Sequence, residues 1–241
     1  MEEDKYFKEV LENFLHEVDQ LNTIIKYSAE LISKSSKGKF NKPVIEHHSS
    51  VILENSYLLA TQYDMVNYLL NPELVTIEKK GKRNIFGKFQ KARISFKRLM
   101  KSKKLKISIL GQVESLIEAY PVIDTLPIIL LDNAIKYSPK ESEIEIEFSE
   151  SPKYVNIIIT NDGPCLELEE IEKVFERGYR GKEAELTDIP GKGFGLSFLK
   201  DICKIHEATV KLKLSDNCYV LNDIEYSTFS IEMDFPKTLS E

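Results

Sequence analysis

The chain has 241 residues, of which 42% are hydrophobic and 30% are charged, and its formal net charge is −6. This composition allows packed cores in one or two domains, and the acidic balance excludes a general nucleic-acid binder. No apolar run is long enough to span a membrane, and the acidic first residues do not form a signal peptide. The three cysteines, Cys165, Cys203 and Cys218, show no spacing typical of a disulfide framework or a metal site. We therefore expect a cytoplasmic protein without a nucleic-acid partner.

The first part of the chain predicts two long helices, over residues 3–33 and 44–70, separated by loop residues and by Pro43, which suits a helix start. In the first helix a 4–3 spacing typical of a coiled-coil seam selects Leu11, Leu15, Val18, Asn22, Ile25, Ala29 and Ile32. In the second it selects Val51, Leu58, Met65 and Leu69. The pattern predicts an antiparallel hairpin over 1–75, which buries both faces when two copies pair into a four-helix bundle, so we expect a homodimer.

A strongly basic segment follows, because residues 79–106 contain thirteen lysines and arginines and no acidic residue. Helical spacing there selects Ile85, Phe89, Ala92, Phe96 and Leu99. One interpretation is peripheral contact with an anionic membrane surface or an acidic partner. We favour the other, in which an amphipathic helix over 76–104 connects the hairpin to a domain over 105–241 and buries its apolar side there.

Residues 131–137 form the first of three polar boxes in the second half of the chain. Asn133 and Lys136 are three residues apart, so they share one face of a helix. An amide oxygen can coordinate magnesium, and a lysine ammonium can meet phosphate oxygens. The alternative is a surface helix with a polar stripe.

The other two boxes lie at a strand end and at a helix start. Residues 155–160 are mostly β-branched and predict a buried strand that ends in turn residues 161–164, where a side-chain oxygen can accept a hydrogen bond from the amine of adenine. Alternating glycines at 191, 193 and 195 precede an apolar helical pattern and allow the backbone to approach phosphate. The alternatives are a plain turn and a flexible loop.

In this order the three boxes resemble the ATP-binding domain of the bacterial sensor histidine kinases, within the wider family of gyrase, MutL and heat-shock chaperone ATPases. The resemblance covers about residues 105–236, with 174–180 similar to the phenylalanine box of the family's ATP lid and 226–231 similar to its closing strand. It implies an α+β chain, in which the helical hairpin is followed by a two-layer α/β sandwich of the GHKL type that binds ATP with Mg2+.

The resemblance also implies roles for single residues. Asn133 would bind the magnesium ion, and Lys136 and Tyr137 would line the triphosphate and the ribose. Asn161, followed by Gly163, would occupy the position of the family's adenine-binding aspartate.

In the lid, Arg180 would reach the γ-phosphate, a task that suits the forked guanidinium, although a solvated charge is the alternative. The lid hinge over the phosphates would be formed by Gly191, Gly193, Gly195 and Leu196.

Four departures from the family pattern bear on activity. Ile129 stands where the family has a second asparagine or a glutamate base, and since it cannot bind metal or activate water, we expect poor ATP hydrolysis. Asn161 lacks the charge of aspartate, so we expect weaker ATP binding. Cys165 replaces a glycine, and residues 206–208 replace a His-Gly-Gly ending.

Residues 14–18 resemble the phosphoacceptor box of the same kinases. His16 lies off the seam, and a neutral imidazole is a competent nucleophile. Glu17 would orient the ring or take its proton. Gln20 lies where some members position water for dephosphorylation. The alternative for His16 is a partly exposed helical histidine.

We therefore expect a histidine kinase that autophosphorylates His16 and passes the phosphoryl group to an aspartate of a response regulator in two-component signalling. Few residues precede His16, so the signal is expected from a separate sensor partner, from the hairpin or from a region outside this sequence. The alternatives are an ATP-binding pseudokinase that acts as a scaffold, and a phosphotransfer or phosphatase protein.

Overall fold

The structure is a computed structural model, and it describes residues 2–37, 41–189 and 191–238. The chain divides into two compact units, Met1–Val75 and Thr76–Glu241. The described part of the first unit is helical, and the second combines helices with a sheet. The predicted α+β fold class is therefore confirmed.

The first unit is a helical hairpin of α1 (Glu2–Lys37) and α2 (Lys42–Leu70), which pack along each other. The side chain of Asn41 caps α2 by accepting a hydrogen bond from the Val44 N–H at 3.4 Å, and Pro43 lies in the first turn, as its fixed φ favours. His48 on α2 reaches Ser28 on α1, with 3.3 Å between Nδ1 and Oγ. Residues 28 and 48 lie on either side of the short connection between the helices, as in an antiparallel hairpin.

The seam of α1 differs in part from the predicted one. Leu15 is 52% exposed and Ala29 is exposed, so these two predicted positions do not face α2 within the hairpin. Their neighbours Phe14, which is half-buried, and Ser28, which is buried, take their place facing α2. Two interleaved 4–3 frames share Leu11, Val18, Ile25 and Ile32, and the helix uses the frame that leaves Leu15 outside the hairpin.

The basic segment is divided among several elements of the second unit. After the one-turn helix α3 (Leu74–Ile77), β1 (Gly81–Arg83) is followed by α4 (Ile85–Ser95) and α5 (Lys97–Lys103). The segment therefore contains two helices that meet at Phe96, where one continuous helix was predicted. The apolar stripe is buried as expected, with at most 3% exposure at Ile85, Phe89, Ala92 and Phe96.

A five-stranded sheet forms the framework of the second unit, in the order β2-β4-β5-β7-β6. Its strands are β2 (Lys106–Leu110), β4 (Glu143–Glu150), β5 (Tyr154–Pro164), β6 (Thr209–Leu221) and β7 (Ile224–Pro236). Only β2 and β4 are parallel, and the other pairs are antiparallel. A separate short strand, β3 (Ile117–Ala119), pairs with β1.

Helices cover one face of this sheet. The other long helices are α6 (Leu126–Tyr137) and α8 (Gly195–Ile205), and the short α7 (Lys182–Glu185) lies between them in the chain. Along β4, Ile144, Ile146 and Phe148 are buried while the alternating glutamates are not, and Phe89 of α4 packs its ring edge-on against Phe148 at 5.3 Å. This alternation gives the predicted two-layer sandwich.

Across the described ranges, no helix is long and apolar enough to cross a membrane.

Candidate nucleotide-binding site

Helix α6 carries the first polar box along one edge of an otherwise buried helix. Asn133 is half-buried and Lys136 is exposed, whereas Leu130 and Leu131 lie in the core. The ammonium of Lys136 lies 2.6 Å from the carboxylate of Asp132, one turn earlier. The two predicted ligands therefore share a helix edge, and Lys136 is engaged in an ion pair that phosphate would have to compete for.

The carboxyl end of α6 is fixed by a lysine from the basic segment. The ammonium of Lys103 donates to the carbonyls of Ile135 at 2.7 Å, Lys136 at 2.9 Å and Ser138 at 2.8 Å. These carbonyls belong to the helix end, which lacks partners within the helix and attracts cations. Lys103 thus positions the turn that bears Lys136, a role that sequence patterns did not indicate.

The protein oxygens near Asn133 suit a magnesium ion that takes most of its ligands from phosphate and water. Among the residues with described positions, no group of three or more His, Cys, Asp or Glu could hold a metal ion. Magnesium commonly takes one or two protein oxygens and completes its shell with water and substrate phosphates. A single half-buried amide on α6 fits that mode of binding.

The glycine segment lies against α6. A Cβ at Gly191 would be 3.2 Å from the hydroxyl of Tyr137, and one at Gly195 would be 3.6 Å from Cγ2 of Ile129. The glycine segment thus lies along α6, with Gly191 beside Tyr137 at the helix end and Gly195 beside Ile129 about two turns earlier. Ile129 is only 7% exposed, so it fills the contact between α6 and α8.

Gly193 joins this segment to the lid residues that precede it in the chain. It adopts φ +72°, and an added Cβ would collide with the backbone of Gly178 and Tyr179. The N–H of Gly178 donates to the carbonyl of Gly193 at 3.1 Å. Leu196, just inside α8, is half-buried.

The strand-end box is built at the end of β5. Asn161 is 3% exposed, and its amide nitrogen donates to the carbonyl of Asp162 at 2.8 Å, which leaves its side-chain oxygen as the acceptor. Phe229 on β7 is the strand partner of Asn161, and its ring covers Gly163. A Cβ at position 163 would lie 2.5 Å from a carbon of that ring. The packing therefore requires glycine at 163.

Asp162 is a site residue that the sequence analysis missed. Its carboxylate accepts hydrogen bonds from Thr228 Oγ1 at 2.6 Å and from the hydroxyl of Tyr219 at 3.0 Å. Burial and this hydrogen bond raise the pKa of Tyr219 to about 12. Asp162 thereby connects the box to β6 and β7. In the sequence, its position next to Asn161 was the feature that could have identified it.

Arg180 is engaged within the segment that was predicted to form the lid. Its Nη2 donates to the carbonyls of Ala184 at 2.8 Å and Ile189 at 3.0 Å. In this arrangement the guanidinium holds the loop after α7, and contact with a γ-phosphate requires it to exchange those partners. Its role toward phosphate stays a prediction.

Glu170 anchors the start of the lid. It is 2% exposed and accepts hydrogen bonds from the hydroxyl of Tyr179 at 2.7 Å, the N–H of Lys182 at 3.0 Å and the N–H of Glu167 at 2.9 Å. Burial opposes ionisation of Glu170, but these donors outweigh it and lower its pKa. The Glu167-x-x-Glu170 spacing of a capping box was the sequence signal for this anchor.

His16 lies on α1 and is exposed, as predicted. Nε2 of its ring is 2.9 Å from the amide nitrogen of Gln20, one turn later. An amide nitrogen only donates, so Nε2 accepts and the ring proton lies on Nδ1. The half-buried Glu17 is next in sequence. His47 is exposed, whereas His48 is half-buried against Ser28.

Residues 126–237 match the family of histidine kinase-, DNA gyrase B- and HSP90-like ATPases. The sensor protein CiaH of Streptococcus pneumoniae is 32% identical over 92 residues, which are 38% of this chain and 21% of CiaH. The sensor protein RprX of Bacteroides fragilis is 27% identical over 221 residues, which are 83% of this chain and 40% of RprX. The chain thus spans less than half the length of these relatives.

A solved structure shares the fold. Histidine kinase ThkA in complex with the response regulator protein TrrA matches with a TM-score of 0.51 and 18% identity, over 98% of this chain and 64% of that one. At this identity the likeness concerns the fold alone. Residues 126–237 thus form a domain of the histidine kinase-, DNA gyrase B- and HSP90-like ATPase family, and this match together with the sensor-protein relatives supports a bacterial sensor histidine kinase with a GHKL-type ATPase domain.

Proposed function

We propose that the chain is a cytoplasmic histidine protein kinase that binds ATP with Mg2+, phosphorylates His16 and passes the phosphoryl group to an aspartate of a response regulator. The observation that carries the proposal is the close approach of Gly191 to the hydroxyl of Tyr137. It sets a glycine backbone, which can approach phosphate closely, beside the helix that bears Asn133 and Lys136.

Three side chains are assigned to nucleotide binding. The Asn133 oxygen would hold Mg2+, which when bound neutralises phosphate charge. Lys136 would exchange Asp132 for phosphate oxygens. The side-chain oxygen of Asn161, whose amide nitrogen is already occupied, would accept from the amine of adenine. Because this acceptor is uncharged, we expect weaker ATP binding than with aspartate.

In the transfer step, Nε2 of His16 attacks the γ-phosphorus while the bond from that phosphorus to the bridging oxygen breaks and ADP leaves. The proton on Nδ1 of the phosphorylated ring then passes to Glu17. Gln20 must first give up its hydrogen bond to Nε2, because that bond occupies the attacking lone pair.

The same site is unsuited to hydrolysis. The buried Ile129 offers no oxygen for a metal and no base for water. Transfer to a positioned imidazole needs no base to activate water, since the neutral ring already has a lone pair. We therefore assign the site to transfer, and we expect a low rate of ATP turnover without an acceptor.

The partners follow from the first unit. Leu15 exposes an apolar side chain on α1, and pairing of two hairpins into a four-helix bundle would cover it. A response regulator as the acceptor is supported by the related kinase ThkA, which was solved with one. We propose that a separate sensor protein supplies the signal. We do not favour peripheral membrane contact through residues 79–106, because their apolar stripe is buried within the domain.

A second function is favoured by one observation, the engagement of Arg180 with the carbonyls of Ala184 and Ile189. If the guanidinium keeps these partners when nucleotide binds, the lid contributes no charge to the γ-phosphate. The chain would then be an ATP-binding pseudokinase that regulates a partner through its helical bundle.

The deciding experiment incubates the purified protein with γ-labelled ATP and magnesium, beside His16→Gln and Asn133→Ala variants. We expect label that is stable in base and labile in acid, and its loss in both variants. Two matched controls, His47→Gln and Asn217→Ala, change exposed residues of the same types and should keep the label.

Three results contradict the proposal in different ways. Label that survives His16→Gln moves the acceptor to another residue. ATP binding without any label supports the pseudokinase. Failure to bind ATP, with the fold intact by circular dichroism, removes the nucleotide site itself.

A further inference from the structure

Two cysteines that are far apart in sequence meet beside the strand-end box. The Sγ atoms of Cys165, just after β5, and Cys218, on β6, are 2.8 Å apart, although 53 positions separate them in sequence. β5 and β6 are not neighbours in the sheet, because β7 lies between them. The register of β6 shifts between Leu214 and Cys218, and beyond this shift Cys218 reaches the residue that follows β5.

Further contacts hold both cysteines in place. The N–H of Cys165 donates to the carbonyl of Glu225 on β7 at 2.7 Å. Next to Cys218, the hydroxyl of Tyr219 donates to Asp162 on β5 at 3.0 Å, and its ring stacks on that of Tyr226. The approach of the two sulfurs is thus supported from each strand that surrounds them.

The pair is open to solvent, unlike the third cysteine. Cys218 is exposed and Cys165 is half-buried, whereas Cys203 is 1% exposed on α8. Burial raises the pKa of the Cys203 thiol to about 12, which keeps it protonated and unreactive. A dissolved oxidant therefore reaches one thiol of the pair directly and does not reach Cys203.

We propose that Cys165 and Cys218 are a site of reversible oxidation, which closes to a disulfide with hydrogen peroxide and clamps the β6–β7 hairpin tip to the end of β5. The clamp lies one residue beyond residues 161–164, which form the end of β5. Its formation is independent of nucleotide binding and of phosphate transfer, so it is tested apart from the proposed kinase activity.

The chemistry needs only the two thiols and one peroxide. One thiol loses its proton and its sulfur attacks a peroxide oxygen, so the O–O bond breaks, and the departing hydroxide takes that proton to form water. The resulting sulfenic acid is attacked by the second sulfur, the S–S bond forms, the S–O bond breaks and a second water leaves. Two electrons pass from the thiols to the peroxide, and a dithiol reductant reverses the change.

The thiol of Cys218 reacts slowly under mild conditions. The hydrogen bond with Cys165, then burial and the nearby Glu225 carboxylate, raise the pKa of Cys218 to about 11. Since the thiolate is the reactive species, the thiol reacts slowly with weak oxidants at neutral pH.

The test treats the full chain with hydrogen peroxide, blocks remaining thiols with an alkylating agent and maps peptides without reduction. We expect one peptide that joins Cys165 to Cys218 and has lost two hydrogens, and its disappearance after dithiothreitol. The oxidised domain should also unfold at a Tm higher by roughly 10 °C, since the crosslink closes a long loop.

The variants Cys165→Ser and Cys218→Ser should each abolish the linked peptide and the shift in Tm, and Cys203→Ser should retain both. Should Cys165→Ser fail to fold, the exposed Cys218→Ser variant still decides the question. A linkage that includes Cys203, linkage only between chains, or oxidation of Cys218 to a sulfinic acid without any linkage would overturn the proposal.

Discussion

The hydroxyl of Tyr137 lies so close to Gly191 that a methyl group at position 191 would stand 3.2 Å from it. This distance is shorter than an ordinary van der Waals contact, so Gly191→Ala must displace either the tyrosine or the glycine segment. We predict that Gly191→Ala weakens ATP binding about fivefold, which corresponds to roughly 1.0 kcal/mol. Isothermal titration calorimetry with a non-hydrolysable ATP analogue measures this change.

Two further variants separate this cause from a general effect of alanine. Gly81→Ala is the matched control, because nothing lies within 4 Å of the added Cβ, and it should bind ATP as the native chain does. Adding Tyr137→Phe to Gly191→Ala removes the clashing oxygen and should restore part of the lost affinity. No recovery in the double variant would mean that the tyrosine hydroxyl is not the obstacle.

Lys103 joins the basic segment to α6 through three carbonyls, and its removal should destabilise the domain. In Lys103→Met the carbonyls of Ile135, Lys136 and Ser138 lose a charged donor. Burial, followed by the nearby Lys140, lowers the pKa of Lys103. Burying the ammonium therefore costs free energy, and this cost cancels part of the stabilisation that its hydrogen bonds provide. We predict a loss of about 2 kcal/mol in the free energy of unfolding, measured by urea denaturation.

The control for this variant is Lys101→Met, which removes the same charge from an exposed position two residues earlier. It should change the free energy of unfolding by less than about 0.5 kcal/mol. Equal losses in the two variants would assign the effect to general charge and not to the helix end.

Local spacing was sufficient for the helix that carries the site. Asn133 and Lys136 were placed on one face because helical periodicity depends only on neighbours along the chain. The same reasoning failed at Leu15, because a second 4–3 frame has Phe14 in its place. The two frames share Leu11, Val18, Ile25 and Ile32. Only contact with α2 decides between the two frames.

Contacts between distant segments could not be predicted from one sequence. Lys103 reaches carbonyls 32 to 35 positions away, and Cys165 meets Cys218 across 53 positions. Each of these contacts depends on how the elements of the domain are arranged in space, and the spacing of residues along the sequence does not contain that information. The Glu170 anchor was within reach, because its capping-box spacing is local.

Buried His206 should make the domain sensitive to mild acid. Its Nδ1 donates to the carbonyl of Ile202 at 2.7 Å, and its Nε2 accepts from the N–H of Tyr120 at 3.0 Å. Burial and the charge of Lys80 lower its pKa below the usual 6.5, although the bond to Ile202 acts in the opposite direction. As pH falls below 6.5 the unfolded chain binds a proton that the folded chain does not, so stability is lost by up to about 1.4 kcal/mol per pH unit.

The pH dependence of unfolding tests this prediction. His206→Gln should be less stable at pH 8 and should lose the part of the slope that the native chain shows just below pH 6.5. His47→Gln, which changes an exposed histidine, should keep the native slope. An unchanged slope in His206→Gln would contradict the assignment of acid sensitivity to this ring.

Leu15 offers a test of the dimer because it is 52% exposed on α1 although it lies among seam residues. If two hairpins pair, Leu15→Glu places a carboxylate in the buried contact of each copy, at a cost of roughly 3 kcal/mol, which weakens the dimer by about a hundredfold. Light scattering after gel filtration measures the mass. Leu168→Glu makes the same change at a 77% exposed leucine of the second unit and should leave the dimer intact. A native chain that is monomeric at every concentration would exclude the bundle, and with it transfer between two copies.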